Sequence, residues 1–105
     1  MNLSELFRIM IEREASDLFI SSDTVPRARI NGIVQSISGE NIPKEEMLRV
    51  AEHLLGTEQR KKQFAANFDI DFIYQEPNIG RFRINISRER DCPAVVARHI
   101  HTKVK

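Results

Sequence analysis

Apolar side chains near the start of the chain recur with the period of an α-helix. They occupy positions i, i+3, i+4, i+7 and i+8 of one helical stripe, and they are Leu3, Leu6, Phe7, Met10 and Ile11. A second helix is predicted to begin at Pro43, because proline suits a first helical turn, and to stop at Gly56. Thr57 is predicted to cap a third, shorter helix.

Much of the remaining chain consists of short apolar or alternating segments that predict β-strands. Asn31-Gly32 separates two of them and favours a hairpin, because both residues tolerate a positive φ. A turn at Glu76-Pro77-Asn78 separates a later pair. The six predicted strands are Asp17–Ser21, Val25–Ile30, Ile33–Ile37, Asp69–Tyr74, Arg81–Arg88 and Ala94–Ile100. Since the strands follow one another in hairpins and the helices do not alternate with them, we predict an α+β domain with three helices and a mainly antiparallel sheet of about six strands.

The fifth predicted strand has one apolar side and one basic side. Its apolar side is formed by Phe82, Ile84 and Ile86, and its polar side by Arg81, Arg83, Asn85 and Ser87. Residues 80–105 contain 7 lysines and arginines against 2 acidic residues, whereas residues 1–79 contain 9 against 13. Guanidinium groups held on strands are suited to bind phosphate or carboxylate oxygens. A polar, merely solvated sheet face explains the same pattern.

Arg98 favours the ligand-binding interpretation. It lies between Val96 and Ile100 on an otherwise apolar strand, so we expect it to be in phase with core residues. A charge in that position requires a partner. The partner is either a carboxylate of the same chain, with Asp69 and Asp71 as candidates, or the anion of a ligand.

Composition restricts the classes of protein to which the chain can belong. With 105 residues, 41% hydrophobic and 30% charged, it suits one globular domain. Its single cysteine, Cys92, excludes an internal disulfide and fits a reducing compartment. No apolar run approaches the roughly 20 residues that span a bilayer, and the N-terminus lacks the apolar segment of a secretory signal. We therefore expect a cytoplasmic protein.

Candidate chemistry within the chain is sparse. No G-x-x-x-x-G-K-[ST] phosphate loop occurs, so we expect no catalytic residue in this chain and no hydrolysis of a nucleoside triphosphate by it alone. Asp69-x-Asp71 and His99-x-His101 have the spacing of ligand pairs, but structural zinc normally needs four ligands, and we expect no metal site. The polar side of Arg81–Ser87 has no aromatic residue on which a base could stack, so we expect no nucleic-acid partner.

Six segments in order resemble the N-terminal domain of the twitching-motility ATPases of the PilT and PilU type, which retract type IV pili and belong to the secretion ATPase superfamily. The resemblance covers about 100 residues, and the ordered set carries it rather than any single motif. The segments are ASDLFIS (Ala15–Ser21), VPRARINGIV (Val25–Val34), TEQRKKQF (Thr57–Phe64), DIDFIY (Asp69–Tyr74), GRFRIN (Gly80–Asn85) and VVARHI (Val95–Ile100).

The resemblance implies a PAS-like N-terminal domain over residues 1–100. Residues 101–105 would then begin the linker to a RecA-like ATPase domain that this chain lacks, so we expect the chain to be part of a longer protein. In that full-length protein, ATP and Mg would bind in the cleft between the two domains, whereas the fragment alone would bind neither. Arg83 and Arg98 are expected to contact the nucleotide phosphates, with Arg81 as a weaker third candidate.

The resemblance also implies the partners of the full-length protein. These are the RecA-like domain of the same or a neighbouring subunit, further copies in a homo-hexamer, and the platform protein of the pilus in the inner membrane. The motor would be cytoplasmic and peripheral to that membrane. The alternative is a free-standing PAS-like adaptor or ligand-sensing module without ATPase activity, which would need an internal cavity that the packed apolar stripes do not indicate.

Overall fold

The helices begin and end close to the predicted residues. In the computed structural model, which describes residues 2–101, α1 spans Leu3–Glu12, α2 spans Lys44–Leu55 and α3 spans Glu58–Asn67. The side chain of Thr57 caps α3 by accepting a hydrogen bond from the Arg60 N–H. Gly56 ends α2 at φ 77°, a conformation that suits glycine. The prediction of three helices is confirmed.

Six antiparallel strands form one sheet. They are β1 (Asp17–Ile20), β2 (Arg27–Ile30), β3 (Ile33–Ser36), β4 (Asp69–Glu76), β5 (Gly80–Glu89) and β6 (Cys92–Ile100). Their order in the sheet is β3-β2-β1-β6-β5-β4, and every neighbouring pair is antiparallel. The predicted α+β class with a six-stranded sheet is confirmed. The β1–β6 pair joins the two ends of the chain into the centre of this sheet.

One face of the sheet is covered by the helices. Phe82 on β5 stacks on Phe7 of α1 with ring centroids 4.2 Å apart. Buried residues of α2, among them Met47 and Leu54, belong to the same core cluster. Burial of this apolar layer supplies the main driving force for folding. The core therefore lies between the helices and one side of the sheet.

The opposite side of the sheet, called here the outer face, carries most of the charged residues of the strands. Alternation along the strands and their register assign five arginines and three aspartates to it, namely Arg27, Arg29, Arg81, Arg83, Arg98, Asp17, Asp69 and Asp71. The predicted division of β5 is confirmed, because Phe82, Ile84 and Ile86 are fully buried whereas Arg81 and Arg83 are exposed.

The predicted phase of β6 is wrong. Val95 and Ala97 are buried, as are Cys92 and Pro93 at the start of the strand, and Arg98 lies on the exposed outer face. Val95, Val96 and Ala97 form an unbroken apolar run, so alternation in the sequence did not reveal which of them faces the core. Pairing of β6 with β1 decides it, because the register places Ala97 opposite the buried Leu18.

Within residues 2–101, no helix is long and apolar enough to cross a bilayer. The predicted linker residues 102–105 lie outside the described residues, and His101 is the last residue described.

Candidate anion-binding site

Two of the three predicted arginines meet directly on the outer face. Arg83 of β5 and Arg98 of β6 are paired residues in the antiparallel register, so their side chains leave the sheet side by side. Together with Asp71, Asn85 and Val96 they line a depression of about 260 Å³. Like charges placed directly opposite each other destabilise a sheet unless an anion compensates them. The structure thus brings the two preferred candidates into one depression.

The anion that compensates Arg98 within the chain is Asp17. The Arg98 Nε donates a hydrogen bond to Asp17 Oδ1 at 2.8 Å, and the Arg29 Nε donates to Asp17 Oδ2 at 3.1 Å. Ser16 Oγ also donates to Oδ2, at 2.8 Å. The expectation that Asp69 or Asp71 partners Arg98 is therefore wrong, because the β1–β6 pairing brings a different strand beside it.

Asp17 is held as a carboxylate by these donors. Asp17 as a whole is only 5% exposed, and this burial acts to raise the pKa of its carboxyl. The hydrogen bonds from Arg98, Ser16 and Arg29 outweigh burial, so that the pKa of Asp17 lies below its ordinary value. At neutral pH one buried negative charge therefore sits between two guanidinium groups.

The four residues Arg29, Asp17, Arg98 and Arg83 form one straight row across four neighbouring strands, which we call the arginine row. Arg29 is paired with Asp17 across β2 and β1, and Arg98 with Arg83 across β6 and β5. Between β1 and β6, Leu18 is paired with Ala97, so the adjacent residues Asp17 and Arg98 also lie opposite each other. Three positive charges and one negative charge give the row a net charge of +2, suited to a polyanion.

The other two aspartates of the outer face accept hydrogen bonds from one side-chain amide. The Asn85 Nδ2 donates to Asp69 Oδ1 at 2.8 Å and to Asp71 Oδ1 at 3.2 Å. In the part of the chain that the structure describes, no three histidine, cysteine, aspartate or glutamate side chains are grouped so that they could hold a metal ion. His99 and His101 do lie together, with ring centroids 4.5 Å apart.

Arg81, the third predicted arginine, is separate from this depression. It lies two residues before Arg83 on β5, on the same outer face, and is paired with Ile100 on one side and Gln75 on the other. Neither Arg81 nor Arg83 forms an ion pair with a carboxylate among residues 2–101. The structure supports grouping Arg83 with Arg98, but it does not bring Arg81 into their depression.

Sequence reasoning missed Asp17 and Arg29. The available signal was Asp17 itself, a carboxylate at the start of the short apolar strand that continues as Leu-Phe-Ile. A buried carboxylate requires donors, and the short connection from β1 to β2 allows an arginine of β2 to lie beside it. The partner from β6 was not accessible in this way, because Asp17 and Arg98 are 81 residues apart in the chain.

Two solved structures contain a part with the same fold as this chain. A pilus retraction motor PilT with bound ADP matches the whole of this chain and 31% of its own length, at a TM-score of 0.90 and 22% identity. The ATPase DotB of Legionella pneumophila matches 96% of this chain and 29% of its own length, at a TM-score of 0.80 and 21% identity. The chain has the fold of the matching parts of these two proteins. No family model matches the chain.

Curated proteins of the type IV pilus are homologous to this chain. The type IV pilus ATPase PilU of Pseudomonas aeruginosa is 32% identical over 99% of this chain, and the retraction ATPase PilT of the same organism is 28% identical over 99%. A twitching motility protein of Neisseria gonorrhoeae is 30% identical over 97%. The recognition made from the sequence motifs is confirmed: the chain is a homologue of the N-terminal region of the type IV pilus retraction ATPases. It spans 27–30% of the length of these relatives.

Proposed function

We propose that this chain is the nucleotide-contacting and assembly domain of an ATP-driven motor for pilus retraction and twitching motility. In this proposal residues 1–100 form the PAS-like domain, and residues 101–105 begin the linker to a RecA-like ATPase domain. The observation that carries the proposal is the pair Arg83 and Arg98, adjacent on a sheet face that no helix of residues 2–101 covers. The relatives named above, which are ATPases, support it.

The chemistry of the two arginines fits the terminal phosphates of a nucleotide. A guanidinium presents planar N–H donors that match phosphate oxygens and stays charged at any physiological pH. In phosphoryl transfer, an arginine brought to the developing charge on the γ-phosphate raises the rate by about 10³-fold or more. This chain would supply arginines only, and the proposal assigns the phosphate loop and the magnesium ligands to the RecA-like domain.

The assembly part of the proposal follows from the position of the arginines on an open face. Side chains that project from a sheet into solvent complete a site only when another surface closes over them. The RecA-like domain of the same or a neighbouring subunit would provide that surface within a homo-hexamer. The assembled motor would act in the cytoplasm, against the platform protein of the pilus at the inner membrane.

Arginine substitutions in the full-length protein test this function. We expect Arg83→Ala and Arg98→Ala each to lower the steady-state ATPase kcat by on the order of 10³-fold, because each removes charge from the transition state. Arg49→Ala is the matched control, since Arg49 is exposed on α2, away from the outer face. Circular dichroism melting of each variant reports whether the fold is retained.

Turnover near the wild-type rate in both Arg83→Ala and Arg98→Ala would contradict the proposal. The sequence of the gene beyond the codon for Lys105 gives a second, independent test. A downstream phosphate loop followed by acidic motifs is the expected result. Without one, the adaptor or sensor alternative would replace the motor domain as the proposal.

A further inference from the structure

Asp17 contacts its two arginines through their Nε atoms and not through the terminal nitrogens. Each of its carboxylate oxygens accepts from the Nε of a different arginine, Oδ1 from Arg98 at 2.8 Å and Oδ2 from Arg29 at 3.1 Å. A guanidinium has five N–H donors in a rigid plane, of which Nε carries one. The contact to Asp17 therefore leaves the two terminal nitrogens of each arginine for another acceptor.

Exposure of the side chains supports the same conclusion. The Asp17 side chain is 8% exposed, whereas the side chains of Arg29 and Arg98 are 42% and 70% exposed. The carboxylate thus lies beneath the two guanidinium groups, which face outward. Anchoring one N–H of each group restricts the rotamers of two long side chains before any ligand arrives, and such preorganisation lowers the cost of binding.

Arg29 is the new member that this arrangement adds to the site. It comes from β2, on the other side of β1 from Arg98, and neighbouring strands lie roughly 4.8 Å apart. Arg98 is flanked in turn by Arg83 on β5. The arginine row therefore presents three guanidinium groups along a line that crosses four strands, which suits a chain of linked phosphates better than a single small anion.

We propose that Arg29 contacts the phosphates of the nucleotide together with Arg83 and Arg98, and that Asp17 is a positioning residue that aims Arg29 and Arg98 at them. This inference rests on the proposed function and deepens it, because it adds Arg29, which was not among the arginines predicted from the sequence to contact phosphate. Asp17 itself does not touch the nucleotide. Its negative charge keeps two guanidinium groups close together that would otherwise repel each other.

The test uses ATPase kinetics of the full-length protein with substitutions at Arg29 and Asp17. We expect Arg29→Ala to lower kcat/KM by about ten-fold or more, as the loss of a charge-assisted hydrogen bond to phosphate does. Arg29→Lys keeps the charge but cannot both contact Asp17 and present a planar fork, so it should recover little of the loss. Arg27→Ala is the matched control, because Arg27 is on the same strand and face but outside the arginine row.

Asp17→Asn separates positioning from folding. We expect it to lower kcat/KM by about ten-fold through misplacement of the two arginines, with the variant still folded when its melting curve is measured. Arginine side-chain Nε–H resonances of the 105-residue chain give a readout independent of catalysis. In Asp17→Asn the Arg29 and Arg98 resonances should both shift from their wild-type positions, because their Nε–H hydrogen bonds to the carboxylate are lost, while the Arg27 resonance stays unchanged.

The results separate this inference from the proposed function. If Arg83→Ala loses activity while Arg29→Ala and Arg29→Lys both stay within about two-fold of wild type, the role of Arg29 is overturned and the motor function stands. An Asp17→Asn variant with unchanged kinetics and unchanged Nε–H resonances overturns the positioning role. If Arg83→Ala and Arg98→Ala are both fully active, the proposed function and this inference fall together.

Discussion

The ionised state of Asp17 affects the stability of the fold as well as the geometry of the outer face. Its pKa is lowered in the folded protein, where burial opposes and the donors Arg98, Ser16 and Arg29 favour the charged form. The pKa of an aspartate in an unfolded chain is about 3.9. A lowered folded pKa means that the stabilisation is fully present above that value and is lost as the pH falls through the folded pKa.

The pH dependence of unfolding tests this contribution. We expect Asp17→Asn to lower the free energy of unfolding by about 1–2 kcal/mol at pH 7, a modest amount because both arginines are well exposed to solvent. The difference should shrink as the pH is lowered below about 4, since the wild-type carboxyl then becomes neutral as well. Thermal unfolding of both proteins from pH 7 to pH 2 measures it, and a difference that stays constant over this range would contradict the assignment.

A second polar group, Glu76, is buried at the junction of α1, α2 and β4. It is 8% exposed and accepts hydrogen bonds from the Ser4 hydroxyl and from Tyr74 Oη, the latter at 2.8 Å. Tyr74 Oη in turn lies 3.0 Å from His53 Nε2 of α2. Burial, followed by the hydrogen bond to Glu76, raises the pKa of Tyr74. This network joins three elements on the helix side of the sheet, opposite the arginine row.

At the scale of elements, local residues explain the ends of the helices and the hairpins. Asn31 and Gly32 have φ values of 53° and 81°, so both adopt the positive φ that the tight β2–β3 turn requires. Asn78 does the same in the turn before β5, at φ 63°. These positions were predicted because their residue types permit conformations that most side chains resist.

Gly56 gives a testable case of such a backbone requirement. We expect Gly56→Ala to lower the free energy of unfolding by about 1 kcal/mol, because Gly56 ends α2 at φ 77° and a Cβ is strained there. Gly39→Ala is the matched control, since Gly39 has no positive φ of this kind and no atom within 4 Å of an added Cβ. Urea unfolding of both variants measures the difference, and equal effects would argue against a conformational cause.

At the scale of the whole molecule, stability depends on the layer of helices packed against the inner face of the sheet. Residues of α1 and α2 enter the same core as Phe82, Ile84 and Ile86 of β5. The central β1–β6 pair depends on strands that are about 75 residues apart in the chain. The outer face can remain open to a partner because the core on the other side already holds the sheet together.

Substitution of two leucines in the same helix distinguishes the effect of core packing on stability from the effect of helix propensity. Leu54 of α2 is 1% exposed and Leu48 is 48% exposed. We expect Leu54→Ala to lower the free energy of unfolding by about 2–5 kcal/mol through lost burial and the cavity that remains, and Leu48→Ala to change it by less than about 1 kcal/mol. Denaturant unfolding compares the two, and a similar loss in both would contradict the position of the core.

Features that depend on near neighbours were predictable from the sequence. Residue type, hydrophobic period and turn chemistry within a few positions determine these features. They are the three helices, the caps at Gly56 and Thr57, the six strands, the hairpin at Asn31-Gly32 and the basic side of β5. The order of the motifs was likewise enough to recognise the family, because homology is a property of the sequence itself.

Only the tertiary structure decided which charges meet. The register of β6 against β1 turned Arg98 outward and gave it Asp17 as its partner. Local alternation had placed Arg98 in phase with the core, with Asp69 and Asp71 as the candidate carboxylates of the same chain. The same register aligned Arg29, Asp17, Arg98 and Arg83 in one row. Contacts between strands far apart in the chain are chosen by the packing of the whole sheet on its core, so no local pattern could reveal them.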